Sequence, residues 1–103
     1  MNAAIVDDQP EFISLFKKVF KKNNYKITSF DNGLDFLEVA NQFDLVFLDI
    51  EMPQVNGLEI SRLLNNIDIY IVFITCHVEM MQSAFNKNVI GFIDKANYKK
   101  TNR

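Results

Sequence analysis

The stretch Asp44-Leu45-Val46-Phe47-Leu48-Asp49-Ile50-Glu51-Met52-Pro53 decides how the rest of the chain is read. Four consecutive apolar residues, Leu45 to Leu48, run directly into a carboxylate, and Pro53 then stops both ladder pairing and an immediate helix. This pattern predicts a strand buried on both faces that ends at Asp49. Such strands belong to parallel sheets covered by helices, and open sheets of that kind bind ligands beyond the carboxyl ends of their strands. Asp49 is thus either a crevice residue or an ordinary turn-forming Asp after a strand.

Working outward, Ala3 to Val6 is a first short strand ending in Asp7-Asp8. Gln9-Pro10-Glu11 opens a helix in which Phe12, Leu15, Phe16, Val19 and Phe20 share one face, with Lys17, Lys18, Lys21 and Lys22 toward its C-terminal end. Asn23-Asn24 ends it. Tyr25 to Phe30 alternates in the manner of an edge strand, Asp31-Asn32-Gly33 is a turn, and Leu34 to Asn41 is a short second helix. After Pro53, Leu58 to Asn65 is a third helix and Ile69 to Ile74 a central strand ending at Thr75. Val78 to Lys87 predicts a fourth helix with Val78, Met81 and Phe85 inward, and Val89 to Ile93 a last strand that runs into Asp94-Lys95. Strand and helix alternate throughout, which calls for an α/β fold: a doubly wound, five-stranded parallel sheet with right-handed crossovers.

The 103 residues support one domain spanning 1–103, and nearly half of them are hydrophobic, ten being Phe, which is ample core material. A net charge of −2 supplies no general attraction to nucleic acid or membrane. The basic residues Lys95, Lys99, Lys100 and Arg103 near the end read as a solvated terminus. A single cysteine, Cys76, excludes an internal disulfide and a thiolate metal site and fits a reducing compartment. The N-terminus lacks a signal-peptide pattern, and the longest apolar run, Ile69 to Cys76, falls well short of the roughly 18–20 residues of a membrane span. A cytoplasmic location is the expectation.

The polar residues that follow the apolar runs form a set: Asp7-Asp8, Asp49, Thr75 and Lys95. In a doubly wound sheet these ends lie on one edge, where three carboxylates either share protons or hold a cation. Few oxygen ligands with carboxylates describe a Mg²⁺ site that leaves positions open for phosphate oxygens. Lysine and threonine supply donors for the remaining oxygens, and a carboxylate such as Asp49 can itself form an acyl phosphate. The set is equipped for phosphoryl transfer. Cys76 and His77 adjoin in sequence and do not suit a Cys–His nucleophile.

Five segments, Val6-Asp7-Asp8, Leu48-Asp49-Ile50-Glu51-Met52-Pro53, Asn56-Gly57-Leu58-Glu59, Ile74-Thr75 and Gly91-Phe92-Ile93-Asp94-Lys95, together resemble the receiver domain of bacterial two-component response regulators. The likeness runs from Met1 to about Ala96. It implies a CheY-like, flavodoxin-like sheet of order 2-1-3-4-5 and a phosphoacceptor at Asp49 served by a sensor histidine kinase. It further implies Mg²⁺ bound by Asp8, Asp49 and the main-chain oxygen of Glu51, with Asp7 acting through water. Lys95 would pair with the phosphate, Thr75 would move to bond it, and Phe92 would rotate inward as the switch, altering the surface of the fourth helix and fifth strand. Glu51 and His77 fall beside the acyl phosphate, where family members tune its hydrolysis. Such a domain is not an enzyme beyond its own phosphorylation and dephosphorylation.

Several features depart from the family. Ala96 follows the lysine where proline is usual, which predicts a looser aim for Lys95. Cys76 stands where a small, semi-buried residue is common. Only Ala96 to Arg103 remain for the usual fifth helix, so it is expected to be missing or much shortened: either the chain is a truncated piece of a longer regulator or a second copy covers the exposed sheet face as a homodimer. The run from Thr75 through Phe92 is similar to receivers joined to LytTR-type DNA-binding domains. Two other readings stand beside the phosphoacceptor: a receiver-like interaction module independent of phosphate, and an aspartyl-phosphate phosphatase, whose motif Pro53 does not match.

Overall fold

Strands whose two faces are both covered have no polar side to display, and that is what the central runs become. The computed structural model describes residues 1–24, 26–84 and 86–97. Its strands are β1 (Ala3–Val6), β2 (Ile27–Phe30), β3 (Leu45–Asp49), β4 (Tyr70–Thr75) and β5 (Val89–Asp94). Its helices are α1 (Pro10–Lys22), α2 (Gly33–Val39) and α3 (Gly57–Leu63), with 3-10 helices at Ala40–Gln42 and Val78–Ser83. All neighbouring strands pair in parallel, in the order β2-β1-β3-β4-β5. The expected α/β sheet is therefore present, with β1 and β3 at its centre and β2 on an edge.

The sheet separates two apolar cores. On one side Phe36, Leu48, Ile60, Leu64, Ile71 and Phe73 pack together, with Met80 and Phe92 against them. On the other, Ile5, Phe12, Phe16, Phe47 and Ile74 form a smaller aromatic cluster, in which Phe16 meets Phe47 edge-on at 4.8 Å. Phe12 and Phe16 are the buried residues of α1, as the helical spacing predicts. In α2 the anchor is Phe36 rather than Leu34, which is about half exposed.

The fourth helical segment differs from expectation. It is a 3-10 helix, Val78–Ser83, in place of an α-helix running to Lys87. Tightening to three residues per turn changes which residues face the sheet. Val78 is exposed, Met81 half-buried, and Met80 and Ala84 reach the core. Phe85 lies outside the described residues. The chain leaves the helix early because Asn86 and Asn88 offer turn bonds instead: Asn88 N–H donates to Asn86 Oδ1, and Asn88 Nδ2 donates to the carbonyls of Leu64 and Ile67. Strand β5 then carries a bulge, since Ile71 pairs Val89 and Val72 pairs Gly91, leaving Ile90 unopposed.

The loop after β3 is fixed at both ends. Asn56 caps α3 in a capping box with Glu59, and Gly57 N–H donates to the Ile50 carbonyl at 2.8 Å. Within it, Val55 N–H donates to the Pro53 carbonyl in a γ-turn that holds Gln54 at φ 69°. A Cβ on Gly57 would collide with the Asp49 carbonyl oxygen and lie 2.9 Å from Ile50 Cα. Backbone cannot yield as a flexible side chain does. Gly57→Ala is therefore expected to lower stability by roughly 2–3 kcal/mol, read as a lower urea midpoint at unchanged slope.

Candidate functional site

Parallel neighbours end on the same edge of a sheet, and this edge gathers the polar residues. Asp49 closes β3 and is 4% exposed, Asp7 follows β1 and is fully buried, and Asp8 beside it is exposed. Thr75 closes β4 and Lys95 follows β5, both almost fully buried. Carboxylate oxygens of Asp7, Asp8 and Asp49 all lie within 4.8 Å of one another. The convergence expected of these side chains is observed.

Lys95 is the hub. Its Nζ lies 2.7 Å from Asp7 Oδ2 and 3.4 Å from Asp49 Oδ2, and it donates to Gln9 Oε1 at 2.8 Å. It also sits 4.7 Å from the centre of the Phe12 ring, a cation–π distance. Asp7 Oδ2 accepts no aligned hydrogen bond despite its short contact with Nζ, so that pair is held by charge; Asp7 Oδ1 accepts from the Gln9 N–H at 2.9 Å. The loose aim expected of Lys95 is corrected by these contacts. No peptide among the described residues is cis, and the Ala96 N–H, a group proline lacks, donates to Asp94 Oδ1 at 3.0 Å and braces the helical residues 95–97 that follow β5.

Asp8, Gln9, Asp49, Glu51, Thr75, Cys76, His77 and Lys95 line a cleft of about 270 Å³. At its mouth His77 spans two acids, with Nε2 3.2 Å from Glu51 Oε1 and Nδ1 3.3 Å from Glu79 Oε1. Cys76 is exposed rather than semi-buried, because it follows the last residue of β4 into the loop. Thr75 Oγ accepts the His77 N–H at 2.8 Å and keeps its own proton to donate. Phe92, half-buried on β5, stacks on Phe73 at 5.8 Å. Sequence reasoning missed Gln9 and Glu79 as site residues. Gln9 was detectable only as the neighbour of Asp7-Asp8 at a helix start, and for Glu79 there was no signal.

Burial pushes the Asp49 carboxyl up to about 7, with the Asp7 charge adding to the rise, Lys95 opposing it and Asp8 contributing last. Three carboxylates against one ammonium leave an excess of negative charge. The donor set fits a hard divalent cation: clustered carboxylate oxygens, one of them, Asp7 Oδ2, buried and accepting no hydrogen bond.

Residues 3–101 match the family model described as the response regulator receiver domain. The chain belongs to this family. The receiver domain is 32% identical over 100 residues to an uncharacterised response regulatory protein of Yersinia pestis, covering 92% of this chain and 42% of that one. It is 30% identical over 78 residues to the response regulator SaeR of Staphylococcus aureus, covering 73% of this chain and 34% of SaeR. It thus spans less than half the length of these curated relatives. Among solved structures, the response regulator TrrA of Thermotoga maritima, crystallised with Mg²⁺ and BeF, aligns at a TM-score of 0.80 and 26% identity, over 98% of this chain and 97% of TrrA. The response regulator domain of Thermotoga maritima CheB aligns at 0.83 with 20% identity, over 98% and 87%, a likeness of fold. Two-component signalling is the setting of this domain.

A raised carboxyl has a consequence for stability. The folded chain keeps a proton on Asp49 up to about pH 7, whereas an unfolded one loses it near 3.8. Stability contributed by this group is present at acidic pH and falls as pH rises through that window. In metal-free buffer Asp49→Asn is expected to exceed wild type by about 1–4 kcal/mol at pH 8 and to match it near pH 4. Urea titrations with chelator at the two pH values test this.

Proposed function

We propose that this receiver domain accepts a phosphoryl group on Asp49 from the phosphohistidine of a sensor histidine kinase, dependent on Mg²⁺. The observation that carries the reading is the Asp49 carboxylate, buried beside the Lys95 ammonium and within a few ångströms of two further acids. Asp8, Asp49 and the main-chain oxygen of Glu51 would hold the ion directly and Asp7 through water; when bound, it neutralises the non-bridging oxygens of the transferring group. The similarity to TrrA, crystallised with Mg²⁺ and BeF, supports this assignment.

The rest falls to the chain's own side chains. An Asp49 oxygen attacks phosphorus as the bond to the histidine nitrogen breaks, and the electron pair stays on the departing imidazole. Lys95 supplies an N–H to one phosphoryl oxygen and the free proton of the Thr75 hydroxyl serves another. For Thr75 to turn toward phosphate it must leave the His77 N–H, so the loop between β4 and the Val78–Ser83 helix responds. Phe92, stacked on Phe73, would shift inward with it and change the surface of that helix and β5. The domain acts as a cytoplasmic switch with no turnover on a separate substrate. This segment itself needs neither nucleic acid nor membrane, and a homodimer is compatible with it.

Incubation with acetyl phosphate and Mg²⁺ is expected to add one phosphoryl mass to the intact wild-type chain and none to Asp49→Ala. The Glu51 carboxylate faces the same cleft, and its charge disfavours attack by water on the acyl phosphate. Glu51→Ala is accordingly expected to lose phosphate faster than wild type, followed by intact mass after removal of the donor; an equal or slower loss contradicts that role.

A further inference from the structure

Lysine carries three N–H donors and no acceptor. Around Lys95 Nζ stand three oxygens: Asp7 Oδ2 at 2.7 Å, Gln9 Oε1 at 2.8 Å and Asp49 Oδ2 at 3.4 Å. The longest contact belongs to the residue that the reaction requires. What holds the ammonium back from Asp49 is a buried carboxylate and one carboxamide.

Gln9 is unusually constrained for an exposed glutamine. Its N–H donates to Asp7 Oδ1, its carbonyl accepts from the N–H groups of Phe12 and Ile13 at the start of α1, and its side chain reaches Lys95. Backbone and side chain are thereby tied to a site acid, a helix and the site cation. Lysine can only donate, so the atom facing Nζ is the carboxamide oxygen and the amide nitrogen is the other terminus. That NH₂ has no partner among the described residues, and Gln9 lines the same cleft as Asp49 and Thr75.

We propose that Gln9 is a positioning residue for chemistry at Asp49, its carboxamide oxygen fixing one N–H of Lys95 while its unused NH₂ donates to an anionic oxygen brought to Asp49. The inference rests on the phosphoacceptor reading and deepens it. With Gln9 occupying one N–H and the charge of Asp7 holding the ammonium in place, the N–H that reaches Asp49 Oδ2 at 3.4 Å is the one left to follow the incoming oxygen. The amide then supplies a neutral donor beside the acids, where a second cation would have been drawn into pairing with them. Glutamate in its place would keep the acceptor for Lys95, lose the donor and repel the phosphoryl group.

The test compares wild type, Gln9→Met and Gln9→Glu in three measurements: binding of Mg²⁺ alone, binding of beryllofluoride with Mg²⁺ saturating, and the rate of mass gain from acetyl phosphate. Gln9→Met is expected to bind Mg²⁺ within twofold of wild type, to bind beryllofluoride at least tenfold more weakly, and to gain phosphoryl mass at least tenfold more slowly. Gln9→Glu, which retains the Lys95 contact, is expected to be as impaired toward beryllofluoride or more so. A loss confined to thermal stability, with beryllofluoride affinity and rate within twofold of wild type in Gln9→Met, overturns the proposal alone. A wild-type chain that gains no more mass than Asp49→Asn overturns the phosphoacceptor reading and this proposal with it.

Discussion

The ammonium of Lys95, seated between the carboxylates of Asp7 and Asp49, is the interaction on which the rest of the site depends. Neither partner could be buried alone, because an unpaired ion in a low-dielectric interior is far costlier than the same ion in water. The pairing ties the end of the sheet's first strand to the end of its fifth, since Asp7 follows β1 and Lys95 follows β5. It is strong enough to bury Lys95 and still leaves the acids in excess. A compensated but not neutral cluster suits the uptake of a cation without collapse of the site when the cation leaves.

Rigid backbone holds this arrangement at its second side. Gly57 lets α3 begin in contact with the end of β3, and the capping box at Asn56 and Glu59 secures that start. The carboxylate at Asp49 is therefore fixed by the strand on one side and by a helix terminus on the other. The mouth of the cleft is built differently, from exposed Glu51, His77 and Glu79 side chains that meet across two loops. Rigidity lies beneath Asp49 and adaptability above it.

Much of this was legible in the sequence because burial on both faces writes itself as unbroken apolar runs. The runs Leu45 to Leu48 and Ile69 to Ile74 become the strands β3 and β4, and the polar residues that end them, Asp49 and Thr75, land on one edge with Asp7 and Lys95. Less of the fourth helical segment was legible, since a repeat of 3.0 cannot be told from one of 3.6 over six residues, and Val78 faced outward as a result. The aim of Lys95 was misjudged from the missing proline, whereas the Ala96 N–H provides a brace of its own where the chain turns helical after β5. The link from Gln9 to Lys95 was invisible because it joins residues that only the completed strand order makes neighbours.

The bulge at Ile90 bears on how these molecules coexist when concentrated. An outermost strand with regular spacing presents a row of amide and carbonyl groups that any extended segment can join. On β5 the unopposed residue interrupts that spacing, and its aliphatic side chain stands 59% exposed. A bulge re-aims the groups around it and increases the local twist. The flank is thereby made a less regular template for intermolecular strand addition.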